Sequence, residues 1–418
     1  MLKRHGWSVV LKRHRSSVES LPHDVVELIL ERLPVKSLLR FRSVSKNWRW
    51  TIYSQRFWER QLIRRRQSRG PDVLFVSLYH SETSETDDDG DDDDDDADEA
   101  QIVYDDDDDD DDADDEEAQI VNDGADLEDE IVLGSSIVRK VKFPFKNLII
   151  CHGSCDGLVC LFCFFTPNIV VNPATQWHQS FPFSSVQQIV INKLQNREPY
   201  CSTYYKPGFG KDIVKGTYKP VWLFNSSELG LDNVTTCEVF DFSTNAWRYL
   251  VPASPYRILP LQRPVYLDGS LYWLTDCVDT KVLSFDLHTE TFKVISKAPF
   301  THVPDPNNVI LCILDNRLCV SKKDWPTQDI WSLCSSGTWN KICSIDHIKT
   351  FPWFKRFSLV PLPVAILEKN KLLLHGRENK EPLVLHDLHT KSYDLLARPT
   401  TYGYCVHYFE SLFSVLSN

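Results

Sequence analysis

Apolar positions along the chain keep two different periods, and the change falls near residue 70. Before it, Val25, Leu28, Ile29 and Leu33 recur at the spacing of one helix face. Pro22 suits the first position of that helix, where a missing N–H is harmless. Pro34 ends it and opens a second helix, to which Leu38, Leu39 and Phe41 contribute the apolar positions. Ser45 suits the cap of a third helix carrying Trp48, Ile52 and Tyr53. Three short helices make a very small core. Leu21, Pro22, Ile29, Leu30 and Pro34 exceed what such a bundle is expected to bury, so a partner is expected to cover the remainder.

From Asp72 onward the helical period disappears, and short β-branched and aromatic runs alternate with turn residues. One unit repeats: an apolar strand, then Asp-x-x-Thr, then an aromatic. It is read at Val239–Trp247, Leu283–Phe292 and Val384–Tyr393, more loosely at Val170–Trp177, and in degenerate form at Ile330–Trp339. The Asp or Asn is expected to cap a turn through its side chain, and the aromatic to pack on the returning strand. A second hairpin is read at Cys155–Cys160, Leu267–Trp273, Leu314–Leu318 and Glu368–Leu372, where Asp-Gly or Asn-containing pairs favour tight turns. Two hairpins per unit give a four-stranded sheet, and its recurrence is the mark of a β-propeller. Five units are visible, and a sixth can be assembled from both ends of the region.

Charge then sets a further segment apart. The net charge of −13 hides +12 in residues 1–70, −1 in residues 71–79, −30 in residues 80–130 and +6 in residues 131–418. The acidic segment holds no Lys or Arg. Such dense like charge with so little apolar area is expected to be disordered. Ala97–Val103 returns as Ala113–Val121, each copy after an Asp run, which reads as tandem expansion of a low-complexity repeat. A solvated loop insertion accounts for it; an electrostatic lure for basic partners, or a cover for the basic N-terminal part, is the functional alternative. No EF-hand spacing is present. Arg64, Arg65 and Arg66 read as a solvated helix end, with nucleic acid or an import receptor as the alternative.

The series from Leu21 to Trp48 is similar to the F-box family through nearly its whole length, with Ser45 where many members have Cys. The resemblance implies docking on a Skp-type adaptor, and through it on cullin and RING subunits. It assigns the adaptor contact to Leu21, Pro22, Ile29, Leu30, Leu33 and Pro34, with Leu38, Val44 and Trp48 at the later apolar positions. The long region resembles the plant F-box-associated domain in Gly153–Leu161, Val171–Thr175, Gly208–Asp212 and Tyr408–Leu412. That resemblance also implies that Asp72–Leu78 is a strand of the propeller, which places the acidic segment inside the domain as a loop. Kelch propellers are a related architecture, but the kelch Gly-Gly pair is absent. The expected fold is therefore α+β and multidomain: a flexible basic N-terminus (1–17), a small three-helix F-box (18–65), and an all-β, kelch-like propeller of six blades (72–418) interrupted by the acidic insertion (80–130).

Candidate chemistry adds little. Most of the 12 cysteines sit in strand-like apolar runs and read as buried thiols of a reducing compartment. Cys151, Cys155, Cys160 and Cys163, with His152, fit no common zinc module. The 13 histidines are scattered, without the paired ligands of propeller copper oxidases. No nucleophile triad order or phosphate loop is recognisable, and no apolar run is long enough to cross a bilayer as a helix. The expectation is a non-catalytic substrate receptor of a ubiquitin ligase, without cofactor, membrane or nucleic-acid partner, in cytoplasm or nucleus, that holds an unidentified protein target. A non-ligase F-box interaction protein and a carbohydrate-binding propeller are the alternatives.

Overall fold

The computed structural model describes residues 21–68, 72–78, 131–133, 136–143, 149–163, 166–196, 207–301, 303–354, 359–376, 382–399 and 403–415. The N-terminal stretch 1–17 and the acidic stretch 80–130 lie outside the described residues.

Four helices open the chain: α1 (His23–Leu30), α2 (Val35–Phe41), α3 (Lys46–Tyr53) and α4 (Gln55–Ser68). The expected three-helix bundle thus gains a fourth helix. Ser45 caps α3, its side chain accepting the Trp48 N–H at 3.1 Å. Pro22 and Pro34 stand at the caps of α1 and α2 rather than inside them, and their carbonyls accept the first helical N–H groups.

Six four-stranded sheets follow. Blade one is Ile149–Cys155, Leu158–Cys163, Asn168–Asn172 and Trp177–Phe181. Blade two is Gly208–Lys211, Tyr218–Asn225, Thr235–Asp241 and Ala246–Tyr249. Blade three is Val265–Leu267, Ser270–Leu274, Lys281–Asp286 and Thr291–Lys297. Blade four is Val309–Leu314, Arg317–Asp324, Thr327–Leu333 and Trp339–Asp346. Blade five is Leu362–Leu367, Lys371–His375, Leu383–Asp387 and Tyr393–Ala397. Blade six is built from both ends of the region. Its inner strand Gly403–Tyr408 pairs antiparallel with Asp72–Leu78, which pairs in parallel with Ser136–Phe143, and Ile131–Leu133 forms the edge. The innermost strands of neighbouring blades touch all the way round, so the six sheets close a ring.

Both hairpins of the repeat form as the residue pattern predicts. Asp156 and Gly157, Asp268 and Gly269, Asp315 and Asn316, and Glu368 and Lys369 all take positive φ, the conformation that turns a strand back in two or three residues. In the second hairpin the carboxylate of Asp286 accepts the N–H groups of His288 and Thr289 at 2.8 and 2.7 Å. Asp387 does the same with His389 and Thr390 at 2.8 and 2.9 Å, and those N–H groups hold its carboxyl below the usual carboxylate range. The aromatic then pairs across the hairpin, Phe292 on Phe285 at 4.7 Å and Tyr393 on His386 at 4.3 Å. The same aromatic position also latches onto the preceding blade. Trp247 donates to the Pro182 carbonyl, Trp339 to the Lys297 carbonyl, and Tyr393 accepts the Asp346 N–H. One side chain thus closes its own sheet and fixes the neighbouring one, which accounts for the recurrence of an aromatic there.

Apolar clusters fill the seams between blades, with Trp222 and Trp273 among the largest fully buried side chains. Seven of the nine cysteines whose side chains are described are buried as thiols, as the strand positions predict. His375 is buried against the edge of Phe75, at 5.9 Å between rings. Burial, with Arg263 nearby, pushes its imidazole down to about 3. The unfolded chain takes up a proton near pH 6.5 that the folded chain refuses, so this group's contribution is full above pH 6.5 and is lost as pH falls towards 3. Between pH 6.5 and 5 the loss is about 2 kcal/mol. His375→Phe is expected to flatten the dependence of stability on pH over that interval in urea titrations, and parallel curves for both proteins would refute this.

Candidate functional site

Each inner strand ends at one face of the ring, where both hairpin turns of blades one to five and the single hairpin of blade six lie; in blades one to five the opposite face carries the connections between second and third strands. The helical module sits on the hairpin face. Its core is Leu30, Val35, Leu38, Ile52 and Phe57, completed by Leu412 from the end of the chain. Trp58 of α4 meets Phe413 edge-on at 5.9 Å.

Of the nine residues expected to meet an adaptor, two belong to this core. Leu30 and Leu38 are buried, because α3, α4 and the C-terminal segment supply apolar surface that α1 and α2 lack alone. Leu33 and Trp48 are half-buried, Trp48 edge-on against Phe41 at 5.6 Å. Leu21, Pro22, Ile29, Pro34 and Val44 are exposed. The open surface of α1 is wider than the sequence suggested. Leu21, Val25 and Ile29 follow at four-residue intervals, with Leu28 beside them, at 58%, 40%, 46% and 39% exposure. Trp50 and Tyr53 of α3 are also open, and Arg42 lies over the Tyr53 ring at 4.4 Å.

Arg64, Arg65 and Arg66 are not a solvated helix end. They fasten the module to itself and to the propeller. Arg64 reaches Glu31 at 3.5 Å, where Arg60 also binds at 2.8 Å. Arg65 meets the buried Asp72 at 2.6 Å, at the first residue of the strand that completes blade six. Burial pushes the Asp72 carboxyl up, against the pull of Arg65 and Arg139. Its other oxygen accepts the Ile137 N–H at 3.1 Å. Arg66 meets Asp156 at 2.8 Å, in the tight turn of blade one. Asp156 also accepts the Tyr218 hydroxyl at 3.1 Å and pairs with Lys211 at 3.1 Å.

The C-terminal segment 409–415 lies in this junction. Asn172, the Asn of the looser repeat copy in blade one, donates to the carbonyls of Ser411 and Phe413 at 3.0 and 2.9 Å while capping its own turn through the Ala174 N–H. Ser411 donates to the Asp156 carbonyl. A cavity of about 890 Å3 runs down the axis, lined by inner-strand residues such as Ser154, Ile313 and His407, with Ile63 and Arg66 of α4 at its hairpin end. Cys155 and Cys160 occupy their strand positions in blade one; among the described residues no three His, Cys, Asp or Glu side chains are grouped to hold a metal ion. The arrangement is a surface for binding: an open apolar stripe on a helical module, joined to a propeller by a shared apolar core and ion pairs.

Comparison with known proteins agrees with this geometry. The family model of the F-box associated beta propeller domain matches residues 126–415, and that of the F-box domain matches residues 18–60. An F-box protein of Arabidopsis thaliana is 53% identical over 337 residues, covering 80% of this chain and 94% of the relative. An F-box/LRR-repeat/kelch-repeat protein of the same plant is 45% identical over 412 residues, covering 95% and 97%. Another of its F-box proteins is 44% identical over 431 residues, covering 96% and 100%. With an exposed apolar helix face on a module locked to a six-bladed ring, the chain belongs to the plant F-box proteins that carry an F-box-associated β-propeller domain.

Proposed function

We propose that this protein is the substrate-recognition subunit of a Skp-cullin-F-box ubiquitin ligase. The observation that carries the reading is the exposed stripe of Leu21, Val25, Leu28 and Ile29 on an otherwise well-packed module. Contiguous apolar surface of this kind marks a binding site, and the F-box match supports a Skp-type adaptor as its partner. Cullin and RING subunits then follow through the adaptor, and the propeller holds a protein target. The chain performs no bond chemistry in this reading. It raises the effective concentration of a target lysine near the charged enzyme, and the fixed junction between module and ring keeps that distance defined. The complex works in the cytoplasm or nucleus.

Proximity labelling in cells tests the reading. Proteins labelled by the full chain should accumulate when the proteasome is inhibited, and that accumulation should depend on the adaptor-facing stripe. A labelled set that is unchanged by the inhibitor, with the adaptor bound, would assign the chain to interactions outside degradation.

A further inference from the structure

The axial cavity is more than the gap left by six inner strands, because charged and polar side chains gather at one end of it. Its volume of about 890 Å3 falls within the roughly 300–1,000 Å3 typical of small-molecule sites. Arg66 of α4, Lys211 of blade two and Asp156 of blade one meet at the hairpin end. Asp156 takes Arg66 at 2.8 Å and Lys211 at 3.1 Å, so two cations share one carboxylate and the cluster keeps one positive charge. Aromatic rings hold both cations from a second side. The Arg66 guanidinium lies 5.6 Å from the Phe409 centroid, and the Lys211 ammonium 4.7 Å from that of Phe413. The charge is therefore in place before anything binds.

His407 of blade six stands beside this cluster. Its ring meets the Phe409 ring edge-on at 5.0 Å, and its backbone carbonyl accepts the Ser154 hydroxyl. The side chain is enclosed by the fold yet open to the cavity. Burial and the Arg66 charge hold its imidazole down at about 4, so the ring is neutral at neutral pH and has one N–H to donate. Among the described residues neither ring nitrogen makes a hydrogen bond. A polar ring enclosed in this way calls for a partner that the chain itself does not supply. Arg66 is the one charge that acts on it; Glu59, Asp268 and Asp315, which also line the cavity, do not. The opposite wall is apolar, with Val265, Ile313 and Leu362 half-buried on blades three, four and five. An unmatched positive charge and an idle N–H, facing aliphatic side chains, suit a molecule with one carboxylate and an apolar body. We propose that the hairpin end of the axial cavity binds a small organic acid, with Arg66, Lys211 and His407 receiving its carboxylate and the inner strands of blades three to five receiving its apolar body. This goes beyond the ligase reading and does not depend on it.

The test is a ligand-observed NMR screen of the full chain at neutral pH, using aromatic and aliphatic carboxylic acids, each paired with its primary amide. Acids should bind, and the uncharged amides should bind about tenfold more weakly or worse. Lys211→Met and Arg66→Met should each weaken the acids by about tenfold or more, whereas Lys211→Arg, which keeps the charge, should retain them. Val278→Asp, at an exposed position in a loop of blade three, should leave them unchanged. Melting temperatures are read on the same proteins. In the parent chain a bound acid should also protect His407 from diethyl pyrocarbonate, read by peptide mass spectrometry, which locates the site even where a variant does not fold. Acids that bind no better than their amides, acid binding that survives either methionine substitution, or His407 modification that the acids leave unchanged would each overturn the proposal.

Discussion

Replacing Leu21 and Ile29 together by aspartate is expected to abolish capture of a Skp-type adaptor while leaving the melting temperature unchanged. Both side chains are about half exposed in the free chain, at 58% and 46%, so their removal takes little from the module's own core. In a complex they would be buried. Each substitution then forfeits about 1 kcal/mol of apolar burial and adds a carboxylate that must be desolvated without a partner, at roughly 2 kcal/mol or more. Together, at about 6 kcal/mol for the two sites, these weaken Kd by about ten-thousandfold. Leu30→Ala is the informative contrast. Leu30 is 1% exposed and packs with Val35, Leu38, Ile52 and Phe57. Its loss should cost about 2–5 kcal/mol of stability through the cavity left behind, so any fall in adaptor binding would accompany a fall in melting temperature. A double aspartate variant that is folded and still binds would place the adaptor contact elsewhere.

Gly157→Val is expected to be the most damaging single change in the propeller. Gly157 has φ of +80°, and a Cβ there would lie 2.5 Å from the Phe409 carbonyl oxygen and 2.6 Å from Ser411 Oγ. The positive φ costs a β-branched residue about 1–2 kcal/mol. The overlap with backbone, which cannot rotate aside, costs about 1–3 kcal/mol more. A total on the order of 4 kcal/mol should lower Tm by roughly 6 °C. The damage should also be directional. It displaces the 409–415 segment, which Asn172 and Asp156 hold under the helical module, so hydrogen exchange there should rise before exchange in blades three and four. Gly230→Val separates the two causes: φ is +77° but nothing lies within 4 Å, so the strain remains without the clash. Equal losses at Gly157 and Gly230 would show that the close approach of the C-terminal segment is unimportant.

What was legible in the sequence was local. The Asp286 and Asp387 turns, the aromatic after each, and the Asp-Gly pairs all act within ten residues, and each formed where its residues indicate. Blade six needed a strand from far upstream. Asp72–Leu78 could be assigned because the resemblance to the F-box-associated domain implies a strand there, although its two neighbours in the sheet come from opposite ends of the region. The fourth helix was missed because Gln55–Ser68 is mostly Arg and Gln, with a short apolar face at Phe57, Trp58 and Leu62. Leu30 was misplaced for a related reason. Its covering residue, Leu412, belongs to the far end of the chain, and no spacing within α1 reveals it. The arginine run shows the same limit. Nothing near Arg65 or Arg66 in sequence marks Asp72 and Asp156 as partners, so the run read as solvated until the ring placed those carboxylates beneath it.

The module docks on the hairpin turns through single paired carboxylates, Arg65 on Asp72 and Arg66 on Asp156.

The most direct measurement is the mass of the complex formed when the purified full chain is mixed with a Skp-type adaptor, read by light scattering during size exclusion. The account predicts one adaptor per chain, with the complex lost in the Leu21→Asp, Ile29→Asp double variant. A folded parent chain that elutes alone at micromolar concentrations of both proteins would contradict it.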